Sequence, residues 1–274
     1  MRFSGHESFH CRSLWLKKGY DHLKSGNDFK DEAPILLGVG KNMVSSIRYW
    51  VKSFGLVDTE TEELKPVADK IFSETGWDPF LEDEGTLWLL HYWVVTQNFA
   101  SIYGVIFNEL RKRKPHFTVE SFVSLIRELE NDTSESSLKK DFQAFTRTYI
   151  SKENDKDLED SYSGILTELG LVSEHKGGLE IEPAKRSNLP LSILLYCILD
   201  QHTDSSSISF ESLYSQKNSV GSVFALSREG LNELLEGISE EFKDVIYSNE
   251  AGIRELQFKK QIDPLNILKE YYES

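Results

Sequence analysis

The chain has 274 residues, of which 39% are hydrophobic and 28% charged, and only two are cysteines, Cys11 and Cys197. This composition is typical of a soluble globular protein long enough for two or three small domains. Two thiols cannot build a disulfide framework, and the first residues lack the apolar core of a signal peptide. We therefore expect a cytoplasmic protein without a membrane span.

Charge is distributed unevenly along the chain, which carries −14 in total. Residues 1–55 contain nine Lys and Arg against five Asp and Glu, a net +4, and the remainder therefore carries −18. Nucleic-acid binding depends on local positive potential, so the basic segment is where such a contact is expected. A basic surface patch without a ligand is the alternative.

A helix is predicted over residues 13–23, with Leu14, Trp15 and Leu23 available to a core. Residues 36–57 then predict a helix-turn-helix, because two glycines end a short apolar helix and a second helix follows at once. Asn42 is the expected N-cap of that second helix, and Gly55 is expected to end it. Its apolar stripe is Val44, Ile47, Val51 and Phe54. Its outward face is Lys41, Ser45, Arg48 and Lys52.

This second helix is the predicted reader of double-stranded DNA. Early residues of a helix in the major groove reach base edges, while flanking cations contact phosphate. The predicted base-contacting residues are Lys41, Asn42, Ser45 and Arg48. The predicted backbone contacts are Lys17, Lys18 and Lys52. In the alternative reading, Arg48 pairs with an acid of the following turn, such as Asp58 or Glu62.

Two short extended pieces around a polar turn follow Gly55, and a helix is predicted over residues 67–72. This order is typical of the wing of a winged helix. The sequence Gly55-Leu56-Val57 recurs as Gly170-Leu171-Val172, after an apolar helix predicted over 158–169 and before a hairpin around Gly177-Gly178. The recurrence predicts an internal repeat whose second copy is acidic and packs against protein.

The middle of the chain predicts buried helices over 86–95 and 100–110, then amphipathic helices over 117–129 and 137–150. The basic run that ends the 100–110 helix fits either a helix C-terminus or a phosphate clamp. Helices at 190–199, 210–214 and 227–236 and a hairpin over 245–258 complete the pattern, with Asp263 as N-cap of the last helix.

The predicted fold is therefore mainly α, with winged-helix modules and short β-hairpins around a helical core. Three domains are expected. They are an N-terminal winged helix over 1–76, a helical middle with a second winged-helix-like unit over 77–186, and a C-terminal helical and hairpin domain over 187–274.

One motif suggests chemistry, since His6-Glu7-Ser8-Phe9-His10 fits the His-Glu-x-x-His pattern of zinc metallopeptidases. That reading needs both histidines on one helix face, and no upstream sheet is available to frame such a helix. A polar clamp formed by His6 and Glu7 above Phe3 and Phe9 is preferred.

A second motif, Gly38-Val39-Gly40-Lys41, resembles a phosphate-binding loop but departs from the Walker spacing, so a nucleotide site is not predicted. No catalytic residue, metal site or cofactor is predicted.

Several segments resemble the bacterial DUF4007 family of unknown function. The matching residues are Gly5-His6-Glu7-Ser8-Phe9, Arg12, Trp15-Leu16, Gly19, Leu37 to Val44, Ile47-Arg48-Tyr49-Trp50, Gly55-Leu56, Asp263-Pro264-Leu265 and Tyr271-Tyr272. Members of this family are encoded beside sulfurtransferase-like proteins of the phosphoadenosine phosphosulfate reductase type, among DNA phosphorothioation or phage-defence genes. The resemblance implies an accessory role in such a system.

The predicted function is that of a non-catalytic, DNA-binding accessory subunit of a bacterial DNA-modification or phage-defence system, with a protein partner. The alternative is a protein-only adaptor for a sulfurtransferase-like or helicase partner. The zinc metallopeptidase is a minor alternative.

Overall fold

A computed structural model describes residues 1–12, 14–130, 132–151, 164–203, 205–250 and 252–274. Of the described residues, 53% are helical and 11% are in strands, and the described strands form two small three-stranded antiparallel sheets. The predicted mainly α class is confirmed. The chain divides into two compact units, unit 1 (Met1–Ile181) and unit 2 (Glu182–Ser274). The division into three domains stays a prediction.

Unit 1 begins with four helices, α1 (Trp15–Lys24), α2 (Ala33–Leu37), α3 (Lys41–Ser53) and α4 (Pro66–Phe72). The predicted apolar stripe of α3 is buried, because Ile47, Val51 and Phe54 have no exposed surface and Val44 has almost none. Helix α1 approaches α3 closely at Gly19, where an added Cβ would lie 2.5 Å from Cγ1 of Val51. Glycine is required there because no larger residue fits between the two helices.

The centre of unit 1 is a helical core made of α5 (Glu84–Thr96), α6 (Ser101–Val105), a π-helical segment (Ile106–Leu110) and α7 (Arg111–Arg113). Every residue from Gly85 to Val95 is buried, as expected for a helix that is apolar on all sides. The ring of His91 lies inside this core and hydrogen-bonds the hydroxyl of Tyr149 at 2.7 Å. None of the described helices has the length and apolarity needed to cross a membrane.

The rest of unit 1 contains β1 (His116–Phe117), α8 (Val119–Leu129), α9 (Glu135–Tyr149), a 3-10 turn (Thr167–Leu169), β2 (Ser173–His175) and β3 (Gly178–Glu180). The strand order is β1-β3-β2. The helix predicted over 158–169 is wrong in its described part, where only the 3-10 turn Thr167–Leu169 precedes Gly170. Its earlier part lies outside the described residues. The hairpin turns at Lys176-Gly177, which both have positive φ.

Unit 2 contains α10 (Leu191–Gln201), β4 (Ser207–Ser209), α11 (Phe210–Ser215), α12 (Val220–Val223), α13 (Arg228–Glu241), β5 (Val245–Glu250), β6 (Ile253–Phe258) and α14 (Pro264–Glu273). The predicted β5–β6 hairpin is present, and the strand order is β4-β6-β5. Asp263 caps α14 by accepting the N–H of Leu265 at 2.9 Å, which confirms the prediction for this helix.

A similar order of elements recurs in both units. In residues 101–180 (module 2) a helical stretch, a short strand, two helices, a 3-10 turn and a hairpin follow each other. In residues 191–258 (module 3) a helix, a short strand, three helices and a hairpin do so, and the first strand pairs with the third in each sheet. Residues 15–64 (module 1) contain the three helices α1, α2 and α3, and their hairpin is reduced to a single antiparallel bridge between Val57 and Leu64. The last α-helix before the hairpin or loop of each module is α3, α9 and α13, respectively.

Candidate nucleic-acid interface

The turn between α2 and α3 is made by two glycines with different conformations. Gly38 has φ 64° and ends α2, a left-handed conformation that glycine adopts without the steric cost of a Cβ. Gly40 is extended and is the N-cap of α3. Asn42 is therefore not the N-cap as predicted but the second residue of the helix.

The four predicted base-contacting residues lie together on the outward side of α3. Lys41, Asn42, Ser45 and Arg48 are all exposed. The hydroxyl of Ser45 donates to the carbonyl of Lys41 at 3.3 Å, and no ion pair of Lys41 is present within the described residues. The first two turns of α3 thus offer one cation and two polar side chains to a ligand.

Arg48 is engaged by an acid of the 57–64 loop, as in the alternative reading. Its Nε donates to both carboxylate oxygens of Glu62, at 2.9 and 3.1 Å, and Nζ of Lys52 lies 2.6 Å from the same carboxylate. Burial alone raises the pKa of Glu62, but the hydrogen bonds from Arg48 and Lys52 outweigh it and lower that pKa below its ordinary value. Glu62 is therefore ionised at neutral pH and offsets part of the positive charge of α3.

The predicted backbone contacts are also engaged within unit 1. Lys52 is not outward-facing as predicted, since its side chain is only 12% exposed and donates to the carbonyl of Thr59 at 2.9 Å. Lys17 pairs with Asp21 at 2.5 Å. Lys18 donates to the carbonyl of Leu37 at 3.2 Å. Lys18 remains exposed, whereas Lys17 and Lys52 are held in local pairs.

The 57–64 loop that carries Glu62 is held by its own hydrogen bonds. Oδ1 of Asp58 accepts the backbone N–H of Thr61 at 2.8 Å and that of Glu60 at 2.9 Å. These two hydrogen bonds lower the pKa of Asp58, and the bond from Thr61 has the larger effect. The carboxylate of Asp58 thus shapes the loop, and the partner of Arg48 is Glu62.

Two features beside α3 were missed by sequence reasoning. Lys30, in the loop before α2, is 80% exposed and pairs with Asp28 at 2.5 Å, and its charge interacts with that of Arg48. The side chains of Leu14, Ile35 and Leu36 are exposed, Ile35 by 83%. Leu14 was predicted to enter a core, and it lines instead a shallow groove between α1 and α2 together with Leu36.

A family model described as a protein of unknown function, DUF4007, matches residues 3–272. The chain belongs to the DUF4007 family. The family description assigns no activity, so what this DUF4007 protein does has to be argued from its own surface.

Two solved structures resemble this DUF4007 protein over nearly its whole length. A structure described as magnesium ion-bound SspB is 28% identical, with a TM-score of 0.88, and the match covers 99% of this chain and 88% of that one. A structure described as SspB is 29% identical, with a TM-score of 0.86 and the same coverage. No curated protein matches the chain.

The His-Glu-x-x-His segment of the DUF4007 protein does not form the helix that a zinc metallopeptidase requires. Its residues form a tight turn in which Glu7 and Ser8 have positive φ. His6 is buried, and its Nε2 lies 3.4 Å from Oδ1 of Asp141 on α9. Phe9 packs against Trp15. The segment therefore meets α9 through His6, whereas Glu7, the other residue of the predicted clamp, is exposed.

No chemical site emerges elsewhere among the residues that the structure describes. Their His, Cys, Asp and Glu side chains form no group of three or more that could hold a metal ion, and no ligands for magnesium are assigned. Tyr49, which could have reached phosphate, is buried, and its burial raises its pKa well above the ordinary value.

Proposed function

We propose that this DUF4007 protein is a DNA-binding accessory subunit of a bacterial DNA-modification or phage-defence system. In this proposal modules 1, 2 and 3 are winged helices, and α3 of module 1 contacts double-stranded DNA. The setting comes from the family resemblance, which implies neighbouring phosphorothioation or phage-defence genes. The similarity to SspB structures along nearly the whole chain supports an origin in one family.

The observation that carries the proposal is the outward face of α3. Lys41, Asn42 and Ser45 stand exposed at the start of a helix that is held from behind by α1 and α2. Residues at this position of a helix-turn-helix contact base edges and phosphates. Lys30 lies close enough to Arg48 for their charges to interact, and these two cations pair with Asp28 and Glu62, respectively.

A specific observation favours a second candidate, the protein-only adaptor. The exposed apolar side chains of Leu14, Ile35 and Leu36 lie on α2 and at the start of α1, next to the proposed DNA face. Apolar surface of this kind marks protein contacts more often than phosphate contacts. Glu62 also neutralises part of the charge on α3. The adaptor and the DNA-binding subunit therefore differ in which surface of module 1 is used.

Two substitutions with opposite expected effects test the DNA-binding proposal. Lys41→Ala should weaken binding to any duplex and lower the salt slope by about one. Glu62→Gln should strengthen binding by up to about fivefold, since it releases Arg48 from an exposed pair worth up to about 1 kcal/mol. Fluorescence anisotropy with a labelled duplex measures both, and Lys217→Ala, an exposed cation of unit 2, is the matched control. Equal affinities of the wild type and the three variants would show that α3 does not contact DNA.

The non-catalytic part of the proposal needs a separate experiment. Supercoiled plasmid incubated with the protein and magnesium chloride should stay supercoiled on an agarose gel. Magnesium is included because one of the similar structures is described as magnesium ion-bound. Nicked or linear plasmid that increases with protein concentration would show a nuclease, and the binding role would then be part of an enzyme.

A further inference from the structure

Module 2 has an open groove that the predictions for α3 do not include. It lies between the outward face of α9, the N-terminal end of α8 and the β2–β3 hairpin, and its volume is about 740 Å³. The α9 wall presents Lys139, Gln143 and Arg147, and the hairpin presents Lys176. Cations therefore line this groove from two separate elements.

The side chains on the α9 wall share one face of the helix. Lys139, Gln143 and Arg147 follow each other at intervals of four residues, the spacing that places side chains above one another. A rise of 1.5 Å per residue gives them a span of about 12 Å along one side of the helix. Arginine and glutamine are also the residues that hydrogen-bond guanine and adenine through two atoms each.

These cations are available to a ligand. Lys139 pairs with Glu135 at 2.8 Å, but both side chains are more than half exposed, so the pair costs little to open. Arg147 forms no ion pair with any residue that the structure describes. Two acids, Glu120 and Glu174, also line the groove, and the three cations outnumber them.

The hairpin that completes the groove is held firmly in place. Its inner strand β3 pairs with β1, and Nε2 of His116 hydrogen-bonds the carbonyl of His175 at 2.8 Å. Lys176 and Gly177 form the tip, with φ 45° and 78°, which is the conformation of a tight two-residue hairpin turn. Lys176 is thus presented at a fixed position beside α9.

We infer that this groove of module 2, formed by the outward face of α9 and the tip of the β2–β3 hairpin, is a second surface for duplex DNA. In the order of elements along the chain, α9 stands in module 2 where α3 stands in module 1, and the hairpin stands where the 57–64 loop does. The inference rests on the proposed function, because it extends the DNA contact from one module of unit 1 to the next.

Module 3 offers a contrast within the same chain. Its last α-helix before the hairpin, α13, exposes five glutamates, Glu229, Glu233, Glu236, Glu240 and Glu241. Such a helix repels phosphate. A similar order of elements therefore carries a cationic face in module 2 and an acidic face in module 3, and the assignment to DNA depends on the side chains of α9.

The double variant Arg147→Gln with Lys176→Asn tests this inference. Glutamine keeps most of the arginine stem, and asparagine tolerates positive φ, so the fold is preserved. Affinity for a labelled duplex should fall about tenfold or more at about 100–200 mM salt, and the salt slope should fall by about two. Lys217→Ala with Lys243→Ala, two exposed cations of unit 2, is the matched control, and unchanged thermal unfolding verifies folding.

Each outcome separates this inference from the proposed function. If the wild type binds duplex and Lys41→Ala weakens it, but the double variant binds as the wild type does, the groove is not a DNA surface and the proposed function stands. If the wild type binds no duplex even at low salt, both fail. Binding of a polyglutamate peptide that the double variant loses, without any binding of duplex, would assign the groove to an acidic protein partner and overturn the inference.

Discussion

Asp141→Ala should lower the free energy of unfolding of unit 1 by about 3 kcal/mol. The Asp141 side chain on α9 is 1% exposed and accepts the backbone N–H of Ser4 with both oxygens, at 2.9 and 3.1 Å. Its Oδ1 also lies 3.4 Å from Nε2 of the buried His6. Alanine would leave these polar groups without the carboxylate that they face, and a buried polar group without a partner is costly.

The contact of Asp141 with Ser4 and His6 matters for the proposed interface because His6 also packs against α3. The ring of His6 stacks on Trp50 and meets the edge of Tyr49, both on the inner side of α3. Nε1 of Trp50 donates to the carbonyl of Phe9 at 3.2 Å. The N-terminal segment therefore connects α9 to α3, the two helices whose outward faces we assign to DNA. Loss of the Asp141 carboxylate should therefore weaken the packing of both α9 and α3.

Chemical denaturation followed by tryptophan fluorescence measures this effect, since all five tryptophans lie in unit 1. Asp141→Asn keeps one acceptor oxygen and should lose less stability than Asp141→Ala. Asp132→Ala removes an exposed carboxylate shortly before α9 and should change stability by about 0.5 kcal/mol or less. An Asp141→Ala protein with the wild-type midpoint and slope would show that the N-terminal clamp does not hold unit 1 together.

The helix-turn-helix could be predicted because its signals are local. The glycines at 38 and 40, the apolar spacing from Val44 to Phe54 and the glycine at 55 all act within a few residues. The N-cap of α3 lies two residues before the expected one, and the helix ends just before Gly55, as expected. The N-cap was missed because Gly40 provides the cap through its backbone conformation alone. A propensity argument favours a side-chain cap and chooses Asn42.

The engagement of the cations could not be predicted, because it depends on contacts distant in sequence. Glu62 reaches Arg48 across fourteen residues, and nothing in the local pattern chooses Glu62 over Asp58. Asp58 looks equally suitable, but its carboxylate is used by the backbone of its own loop. The exposure of Leu14 could not be predicted either. Its helical position suggests burial, but among the described residues no element covers its side chain.

Of the predicted second copy, the turn and the hairpin are confirmed. The Gly-Leu-Val recurrence marks a similar local turn in two places, since Gly55 and Gly170 both have positive φ, and the hairpin predicted after Gly170 is present. The repeat itself stays a prediction. The helix predicted before Gly170 was misplaced, because the last α-helix before it among the described residues is α9, which ends at Tyr149. Pairing of β1 with β3 joins residues more than sixty apart, and a two-residue strand such as β1 has no sequence signature. The groove of module 2 was therefore invisible before the fold was known.

The central claim is that unit 1 binds duplex DNA through the cationic faces of α3 and α9, and a salt series on the wild-type protein tests it most directly. With about four phosphate contacts, the logarithm of the association constant should fall against the logarithm of salt concentration with a slope of about −3 to −4. Affinity measured by fluorescence anisotropy should then drop about a hundredfold between about 50 and 200 mM salt. Absence of binding at the lowest salt, or an affinity independent of salt, would contradict the claim.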